Sequence, residues 1–526
     1  MYEIWYMYVY SLPMRKASVI CLAFLGMGSP IAWAQMMPGP AAGASNRAIS
    51  LPMSGTTSQG AVEATQSATP AGGVDTLSSE FQVGGNYAGS IPSANLPPGA
   101  VTLTLADAVK LGLRANLGSI SADNASRAAR AARLQALSAM LPDIGVSASE
   151  TVTQVDLAAY GFQFKAPPGF PISIPTVVGP FSYSQLQGSL STPVFDLVSR
   201  RNWQAAKESE RASVLSARDT RELVVLAVAG TYLQTIATAS RIASQRAQVE
   251  NAQAVYNQAV VRKSAGTNSR IDVTRSLVEL ETEQQRLTSL ESDLRKQKLA
   301  LARVIGLPLD RDLVLSETLG FRETALPEVE TAVRQAFQNR ADLRSADAQV
   351  QAAERALSAA HAERLPSASL SGDYGLMGPN PTNTHGVFAV TGSVNVPVWQ
   401  GGRIKGDIQQ AEATLHQRQA ELADLHGRVE QDVRAALIDL ETAQGQVKLA
   451  QNNRKYANET LAEARDRFGA GVGTTLEVVQ AEEQVASAET NYISSLYSFN
   501  LAKLTLARAT GEGETQMPGL LKGDRP

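Results

Sequence analysis

The chain has 526 residues, 44% of them apolar, and is long enough to hold several domains with their own cores. Its formal net charge of −3 shows no basic excess, which argues against nucleic acid as a partner. Cysteine occurs once and histidine four times, so an intrachain disulfide is excluded and histidine-rich metal sites are disfavoured.

The N-terminus predicts export. Arg15 and Lys16 precede the apolar run ASVICLAFLGMG, and the small residues of AWA then supply a cleavage site after Ala34. We therefore expect residues 1–34 to be a signal peptide. Its true start is expected at Met14, which stands directly before the basic pair.

The only cysteine, Cys21, lies inside this signal, and no small residue stands just before it, as lipidation would require. The exported protein is thus expected to carry no lipidation, no disulfide and no thiol. Further along, no segment approaches the roughly 20 apolar residues of a membrane helix. Contact with a membrane would therefore need surface association or a β-barrel.

The segment after the signal has a distinct composition. Residues 35–99 are rich in Gly, Ala, Ser, Pro and Thr and have few large apolar side chains. Such a segment cannot bury enough surface to offset the entropy lost on ordering, so we predict disorder there. The same argument predicts a disordered tail over residues 512–526.

An internal duplication spans most of the chain between these segments. Residues 106–148 align without a gap to residues 330–372, and further matches follow at a slightly smaller offset, such as LARVIG at 301–306 with LARATG at 506–511. Self-similarity on this scale indicates repeated structural units. We expect a first repeat over 100–310, an equatorial connection over 311–328 and a second repeat over 329–511.

Each repeat contains a long helical pattern. Between Ile404 and Phe468 the apolar residues recur in steps of three and four, and Arg418 and Arg454 are the polar interruptions. Such a stripe is typical of coiled-coil packing. At 1.5 Å per residue this run predicts a helix of roughly 100 Å. The matching run from Asp196 to Lys263 predicts a second one.

Four segments alternate apolar and polar residues with period two. They are 144–157 and 181–192 in the first repeat, and 367–377 and 386–398, joined by the loop GPNPTNTH, in the second. A soluble hairpin shows the same pattern, but the export signal and the lack of an enclosing globular domain favour membrane strands of ~9–11 residues. Known barrels start at about eight strands, so this chain would have to oligomerise, as a dimer or a trimer.

The repeated plan resembles the TolC-like outer membrane efflux proteins. The shared features are the helix–strand–strand–helix order, the Leu-Pro pairs at Leu141 and Leu365, the stretch VWQGGRIKGDIQQAEA at 398–413, and the glycine turns at Gly266 and Gly471. The resemblance implies an α+β membrane protein that forms a homotrimer. Its four strands per chain would build one twelve-stranded transmembrane β-barrel among outer membrane lipid, continued by a long α-helical coiled-coil tunnel through the periplasm.

The resemblance also implies a function, the outer membrane exit duct of a tripartite efflux or secretion system. Such a duct passively conducts substrates from an inner-membrane transporter and a periplasmic adaptor protein to the exterior. The glycine turns would be the tips that contact the adaptor, through Gly266, Thr267, Gly471, Val472, Gly473 and Thr474. Turn chemistry alone offers another explanation, because any helical hairpin needs such a glycine.

Asp272 and Glu477 each follow a tip glycine by six residues. As acidic residues in a first helical turn, they complement the helix dipole. In the resembling family, however, acidic residues of the second tip helix point into the lumen as a pore constriction. That role transfers to Glu477, with Asp272 as its counterpart and Gln480 where a second acid is common. Because a ring of carboxylates favours cations, we expect Glu477 to help set cation selectivity.

The sequence predicts no enzyme, cofactor or metal site. His361, His385, His416 and His426 are scattered, with His385 in a predicted outer loop, and no cysteine completes a metal-binding set. The competing interpretation is a structural coiled-coil protein of the cell envelope without channel activity, although such a rod has no use for four alternating strands. Whether the cargo is a small molecule or a protein is left open.

Overall fold

The computed structural model describes residues 61–71, 74–92, 99–161, 175–266 and 269–516. The predicted signal peptide, with its start at Met14 and its cleavage after Ala34, lies outside the described residues, as does Thr267 of the first tip. Within the described part, long helices and a four-stranded sheet dominate the fold.

The elements follow in chain order. An N-terminal part contains β1 (Val62–Ala71), β2 (Val74–Val83), a 3₁₀ turn (Gly85–Ala88) and β3 (Val101–Leu103). The first repeat contains α1 (Leu105–Ala115), α2 (Leu117–Ser138), β4 (Asp143–Asp156), β5 (Val177–Phe195), α3 (Leu197–Ser264) and α4 (Arg270–Ile305). The short strand β6 (Leu313–Leu315) leads to the second repeat. That repeat contains α5 (Val329–Asn339), α6 (Ala341–Ala362), β7 (Ser367–Asn380), β8 (Asn383–Asn395), α7 (Arg403–Gly469) and α8 (Thr475–Ala509), and α9 (Gly513–Gln516) follows.

The two repeats correspond element by element. The bounds of α1, α2 and β4 recur 224 residues later in α5, α6 and β7, and the end of α3 and the start of α4 recur 205 residues later in α7 and α8. The predicted duplication is therefore confirmed in three dimensions. β3 and β6 pair in parallel and join the start of the first repeat to the connection that follows it.

The long helices are confirmed, with 68 residues in α3 and 67 in α7. Most of the predicted stripe on α7 is buried against neighbouring helices, including Val429, Val433, Leu440 and Val447. These positions lie on one face because steps of three and four keep pace with the helical turn. The packed face of α7 is therefore the one that the apolar pattern predicted.

One stretch of α3 is apolar and long enough to cross a membrane, which corrects the expectation that no segment after the signal would be. However, 78% of that stretch is buried inside the protein. Val224, Val228 and Tyr232 lie there, in the largest hydrophobic core, with residues of α1, α4 and α8. The stretch is apolar because it packs the centre of the helical layer.

The four long strands form one antiparallel sheet in the order β4-β5-β7-β8. All four predicted strands are confirmed, but β7 and β8 continue through the predicted loop and leave two residues between them. His385 accordingly lies in β8 and not in a loop. The Asn380 side chain accepts a hydrogen bond from Thr382 Oγ1 (2.9 Å), a local bond typical of tight turns. Between β4 and β5 the connection is twenty residues long.

The prediction of disorder over 35–99 is wrong for its described part. β1 and β2 form an antiparallel hairpin, and Phe81 and Tyr87 are buried. Phe81 lies so close to Gly230 of α3 that a β-carbon there would overlap its ring, and Tyr87 lies against Gly118 of α2. The rings of Phe81 and Tyr87 thus fill the space left by the missing side chains of Gly230 and Gly118. These contacts order a segment that is otherwise polar in composition. We call residues 81–91 the strap.

The tail prediction needs a smaller correction. Residues 513–516 form the short helix α9, and Glu514 pairs with Arg221 of α3 at 2.6 Å. Residues 517–526 lie outside the described residues. The ion pair and the contact of α9 with α3 and α8 order the first residues of the segment that composition alone assigned to disorder.

The junction between α1 and α2 is built on an amide. Asn116 is fully buried, and its Oδ1 accepts a hydrogen bond from the backbone N–H of Gly118 at 2.9 Å. Its Nδ2 donates to the carbonyl oxygens of Tyr87 (2.7 Å) and Val304 (3.2 Å). The strap adds a backbone hydrogen bond from Ile91 to Ala115 (2.9 Å). One neutral side chain thus links the junction to the strap and to the end of α4.

The equivalent junction between α5 and α6 is built on charge. Arg340 takes the place of Asn116, and its guanidinium pairs with Asp342 (2.7 Å) and with Asp432 of α7 (2.9 Å). Next to it, Arg508 of α8 pairs with Asp219 and Glu222 of α3. This network joins four helices at the position where the first repeat uses a single amide.

Candidate functional site

The four-stranded sheet has one apolar face that is exposed. Cross-strand partners share a face, so the register places Val146, Gly188, Tyr374 and Phe388 in one row across all four strands. Phe388 is 79% exposed and Val146 77% exposed. Large side chains normally leave water on folding, so a whole exposed apolar face marks a surface that something else covers.

The apolar face has the height of a membrane. From Val396, just past β8, to Gly386, ten steps of ~3.4 Å give about 34 Å along the strand, and a tilt of about 40° reduces this to about 26 Å. Beyond this band the residues that follow on β4, β5 and β8 are polar, with Glu150 paired to Ser184 and with Thr384 two residues before Gly386. Outward-facing apolar bands of transmembrane barrels are ≈ 25 Å tall. The sheet therefore has the dimensions of a membrane-spanning one.

The opposite face of the sheet is small and polar. One row across it consists of Asp143, Ser191, Ser371 and Thr391, and Ser369 and Ser393 share a hydrogen bond at 2.8 Å. Among the described residues, β4 and β8 each pair with a strand on one side only. Open edges of this kind cannot stay unpaired in lipid, because every backbone polar group there needs a partner.

At the far ends of the long helices, the two predicted glycine turns have the same geometry. Gly266 has φ 78° and Gly471 has φ 81°, both in the left-handed region that favours glycine. Each donates its N–H to the carbonyl oxygen three residues earlier, that of Lys263 (3.0 Å) or Phe468 (3.1 Å). Each connection between helices is five residues long. The duplication therefore repeats the tip itself.

The second tip has an additional constraint. The backbone N–H groups of Val472 and Gly473 both donate to the carbonyl oxygen of Arg467 at 3.0 Å and close the end of α7. A β-carbon on Gly473 would lie 2.9 Å from the Phe468 nitrogen. Gly473 is therefore required by close backbone approach, whereas Val472 is exposed at the surface of the tip.

Sequence reasoning missed the helix-capping roles of Ser269 and Thr474, which precede the tip helices α4 and α8. Ser269 Oγ accepts from the Asp272 N–H (3.3 Å), and Asp272 Oδ2 accepts from the Ser269 N–H (3.1 Å), which forms a reciprocal capping box. In the second tip, Thr474 Oγ1 accepts from the Glu477 N–H at 3.2 Å. The spacing of Ser or Thr three residues before an acid was the available signal.

The acidic residues differ in what surrounds them. Hydrogen bonds from the Ser269 hydroxyl and N–H hold the pKa of Asp272 below its ordinary value, and Arg275 contributes. Glu477 is half-buried with Arg467 at 3.6 Å, and Gln480, one turn further along α8, is exposed. Residues three apart lie on one helix face, so Glu477 and Gln480 share a surface. Asp272 is engaged as a helix cap.

The two tips are also joined to each other. The Arg262 guanidinium lies 3.8 Å from the centre of the Phe468 ring, and its Nη2 donates to the Phe468 carbonyl oxygen at 2.8 Å. Phe468 is buried with Val255, Leu461 and Val478. No single-sequence pattern could show this contact, because it depends on how the two repeats lie side by side.

Nothing in the described residues resembles a catalytic or metal centre. No group of three or more His, Cys, Asp or Glu side chains there could hold a metal ion. What the described residues do provide is a sheet of membrane dimensions carried on long helical hairpins with matched tips. These features define a membrane protein whose helices project far from the bilayer.

Comparison with known proteins supplies the family. The outer membrane efflux protein family matches residues 119–307 and again residues 332–512. The chain belongs to this family. It is the outer membrane component of an efflux system, with its sheet in the outer membrane and its helical tunnel in the periplasm. The double match reports the same duplication that the fold shows.

The chain is similar to several curated relatives. It is 24% identical over 324 residues to the pyoverdine export outer membrane protein OpmQ of Pseudomonas putida, covering 59% of this chain and 67% of that one. It is 22% identical over 326 residues to the outer membrane protein TolC of Vibrio cholerae, covering 60% and 74%. The chain thus spans about two thirds to three quarters of the length of these relatives.

Solved structures share the fold. The outer membrane protein VceC of Vibrio cholerae superimposes with a TM-score of 0.65 at 19% identity, covering 78% of this chain and 96% of that one. The CmeC outer membrane channel of Campylobacter jejuni superimposes with a TM-score of 0.69 at 16% identity, covering 83% and 95%. The expected fold, helical tunnel plus β domain, is confirmed.

Proposed function

We propose that three copies of this chain close one twelve-stranded barrel and one helical duct, which conducts substrates passively out of the cell. The observation that carries the proposal is the sheet, whose apolar face is exposed and whose edge strands β4 and β8 are open. Pairing β4 of one copy with β8 of the next satisfies both edges without a new element. Closure also turns the small polar face toward the lumen.

The duct works with two partners in this proposal, a periplasmic adaptor and an inner-membrane transporter. The tip residues Gly266, Thr267 and Gly471–Thr474 contact the adaptor in this proposal. Gly266 and Gly471 make the turns between the long helices, and Val472 is exposed at the second one. The transporter supplies the driving force, and the duct itself catalyses nothing. Relatives named for pyoverdine export and toluene efflux support small organic molecules as the cargo.

Strand pairing between copies can be tested by disulfide cross-linking. Cys21, in the predicted signal, is the only cysteine, so engineered pairs report cleanly. We would combine Ser147→Cys on β4 with Val387→Cys, Ala389→Cys or Thr391→Cys on β8, all on the polar face. Within one chain the two edge strands are about 14 Å apart, too far for a disulfide.

One of the three pairs is expected to give a ladder that ends at a linked trimer on a non-reducing gel. Ser147→Cys alone is the control and should give no ladder. A monomeric native mass together with unlinked chains for all three pairs would overturn the proposal and favour the envelope rod.

We also propose that Glu477 lines the constriction, with Gln480 one turn away on the same face. Planar-bilayer reversal potentials should show less cation preference for Glu477→Ala, because the ring loses three carboxylates. Gln480→Glu should shift selectivity the opposite way. Asp272→Asn serves as a comparison, since that carboxylate already caps its helix. Equal selectivity in all four proteins would exclude these residues from the constriction.

A further inference from the structure

At the helix side of the sheet, the apolar band continues into a rim that both repeats share. Trp399 is 86% exposed and Val398 90% exposed in the second repeat, and Phe195 is 51% exposed in the first. Phe195 ends β5 and has its counterpart 204 residues later in Trp399. Both repeats therefore place an exposed aromatic side chain where the sheet meets the long helices.

Each of these aromatic residues is followed by an exposed cation. Arg200 lies in the first turn of α3 and has its counterpart 205 residues later in Lys405 of α7. Neither side chain has an ion-pair partner among the residues that the structure describes. Their neighbours are different, since Arg403 pairs with Glu363 and Asp407 at 2.7 Å each. The free cations thus recur with the aromatics.

The two ends of the apolar band differ in chemistry. The far end carries Thr384, Ser184 and the carboxylate of Glu150, while the helix end carries aromatic rings and cations. Aromatic side chains settle at the headgroup level of a bilayer, and basic side chains are attracted to anionic lipid. The helices lie in the periplasm, so the helix end of the band faces the periplasmic leaflet.

We propose that Phe195, Val398, Trp399, Arg200 and Lys405 form a rim that binds anionic phospholipid of the periplasmic leaflet. The rings sit among the upper acyl chains, and the two cations pair with lipid phosphate. We assign lipid to this surface because the rim continues the apolar band and because its two cations complement the negative charge of lipid phosphate. The inference rests on the proposed closed barrel, in which three copies present six aromatics and six cations around the bilayer edge.

Tryptophan fluorescence tests the position of the rim. Trp5 and Trp33 lie in the predicted signal, so Trp203→Phe leaves Trp399 as the reporter. The trimer is reconstituted in phosphatidylcholine and phosphatidylglycerol vesicles whose lipids are brominated at shallow or deep acyl positions. Trp399 should be quenched, and more strongly by shallow than by deep bromine. Trp203, kept in a Trp399→Phe protein, lies on α3 and should not be quenched.

A second reporter separates failure of the rim from failure of the barrel. Phe388→Trp, in a background without Trp203 and Trp399, places the fluorophore in the middle of the band. If the Phe388→Trp protein is quenched and Trp399 is not, the barrel is in lipid and the rim proposal is overturned. If neither is quenched, the membrane position of the sheet fails as well.

Native mass spectrometry tests the cations. The double variant Arg200→Gln/Lys405→Gln should lose its preference for phosphatidylglycerol over phosphatidylcholine, by about fivefold for each cation removed. Lys110→Gln/Arg114→Gln removes the same charge from exposed positions of α1 and should keep that preference. Equal preference in the two double variants would overturn the assignment of the cations to lipid.

Discussion

The two repeats hold equivalent helix junctions together in different ways. The first uses the neutral amide of Asn116, which bonds three backbone groups and joins the strap to α4. The second uses Arg340, whose charge is matched by Asp342 and Asp432. The two repeats keep the same backbone arrangement at this junction but differ in the polar side chains that stabilise it. A duplicated fold thus constrains where a helix junction lies and leaves open which side chain satisfies its polar groups.

The largest expected effect is at the charged junction. Arg340→Met should destabilise the protein by about 3 kcal/mol, because it leaves the mostly buried Asp342 without its partner, while Asp432, 44% exposed, stays in contact with water. Asn116→Leu should cost about 1–3 kcal/mol, the range for buried backbone groups left unpaired. Urea unfolding of the two variants beside the wild type measures both. Equal losses would mean that the junctions are energetically alike despite their chemistry.

The strap packs against helices of the first repeat, and Gly230 of α3 lies at that contact. Gly230→Ala should cost about 1–3 kcal/mol, because the new β-carbon overlaps the Phe81 ring. The residue equivalent to Gly230 in the second repeat, 205 positions later, is Ala435. Ala435 lines a cavity, and the described residues around that cavity include no aromatic side chain. In a Phe81→Ala background the Gly230 substitution should become nearly neutral. A cost unchanged by removing Phe81 would contradict the contact.

Equivalent substitutions in the two tips should change stability by more similar amounts than those in the two junctions. Gly266→Ala and Gly471→Ala should each cost about 1 kcal/mol from the left-handed backbone alone, since a β-carbon meets nothing within 4 Å at either position. Gly473→Ala should cost more, because its β-carbon meets backbone. Thermal unfolding of the three variants provides the ranking. A neutral Gly473→Ala would show that the second tip can relax.

The smallest expected effect is a pH dependence that the first repeat contributes. Glu279 of α4 and Glu482 of α8 line one cavity, with Glu283 beside them. Burial raises the pKa of Glu279, and the nearby negative charges of Glu283 and Glu483 raise it further. Burial also raises the pKa of Glu482, although its hydrogen bond with Arg465 acts in the opposite direction. A raised folded-state pKa favours the protonated acid, so this contribution to stability is largest at low pH and falls as pH rises.

The duplication supplies the matched variant for this test. The counterpart of Glu279, 205 residues on, is Gln484, so Glu279→Gln gives the first repeat the residue that the second already has. Melting temperatures should rise in the variant at pH 7 and should equal those of wild type near pH 4. A lower melting temperature at pH 7 would show that the carboxylate stabilises the bundle.

Periodic features could be read from the sequence, and contacts between distant segments could not. The helix between Ile404 and Phe468, the strand pairs and the tip glycines follow from spacing, because each is a local property of the backbone. The strap was missed since composition does not show that Phe81 fits a notch at Gly230. The contact of Arg262 with Phe468 was missed for the same reason. Adaptor contact and constriction at the tips stay predictions.

The two hairpin connections of the sheet differ tenfold in length. The two-residue turn after Asn380 barely rises above the polar row, while twenty residues connect β4 to β5. In the proposed trimer, three connections of twenty residues would alternate with three turns of two residues where an antibody or phage approaches the cell. An epitope tag inserted at Tyr160 should therefore be detected on intact cells, and one inserted at Pro381 should be shielded.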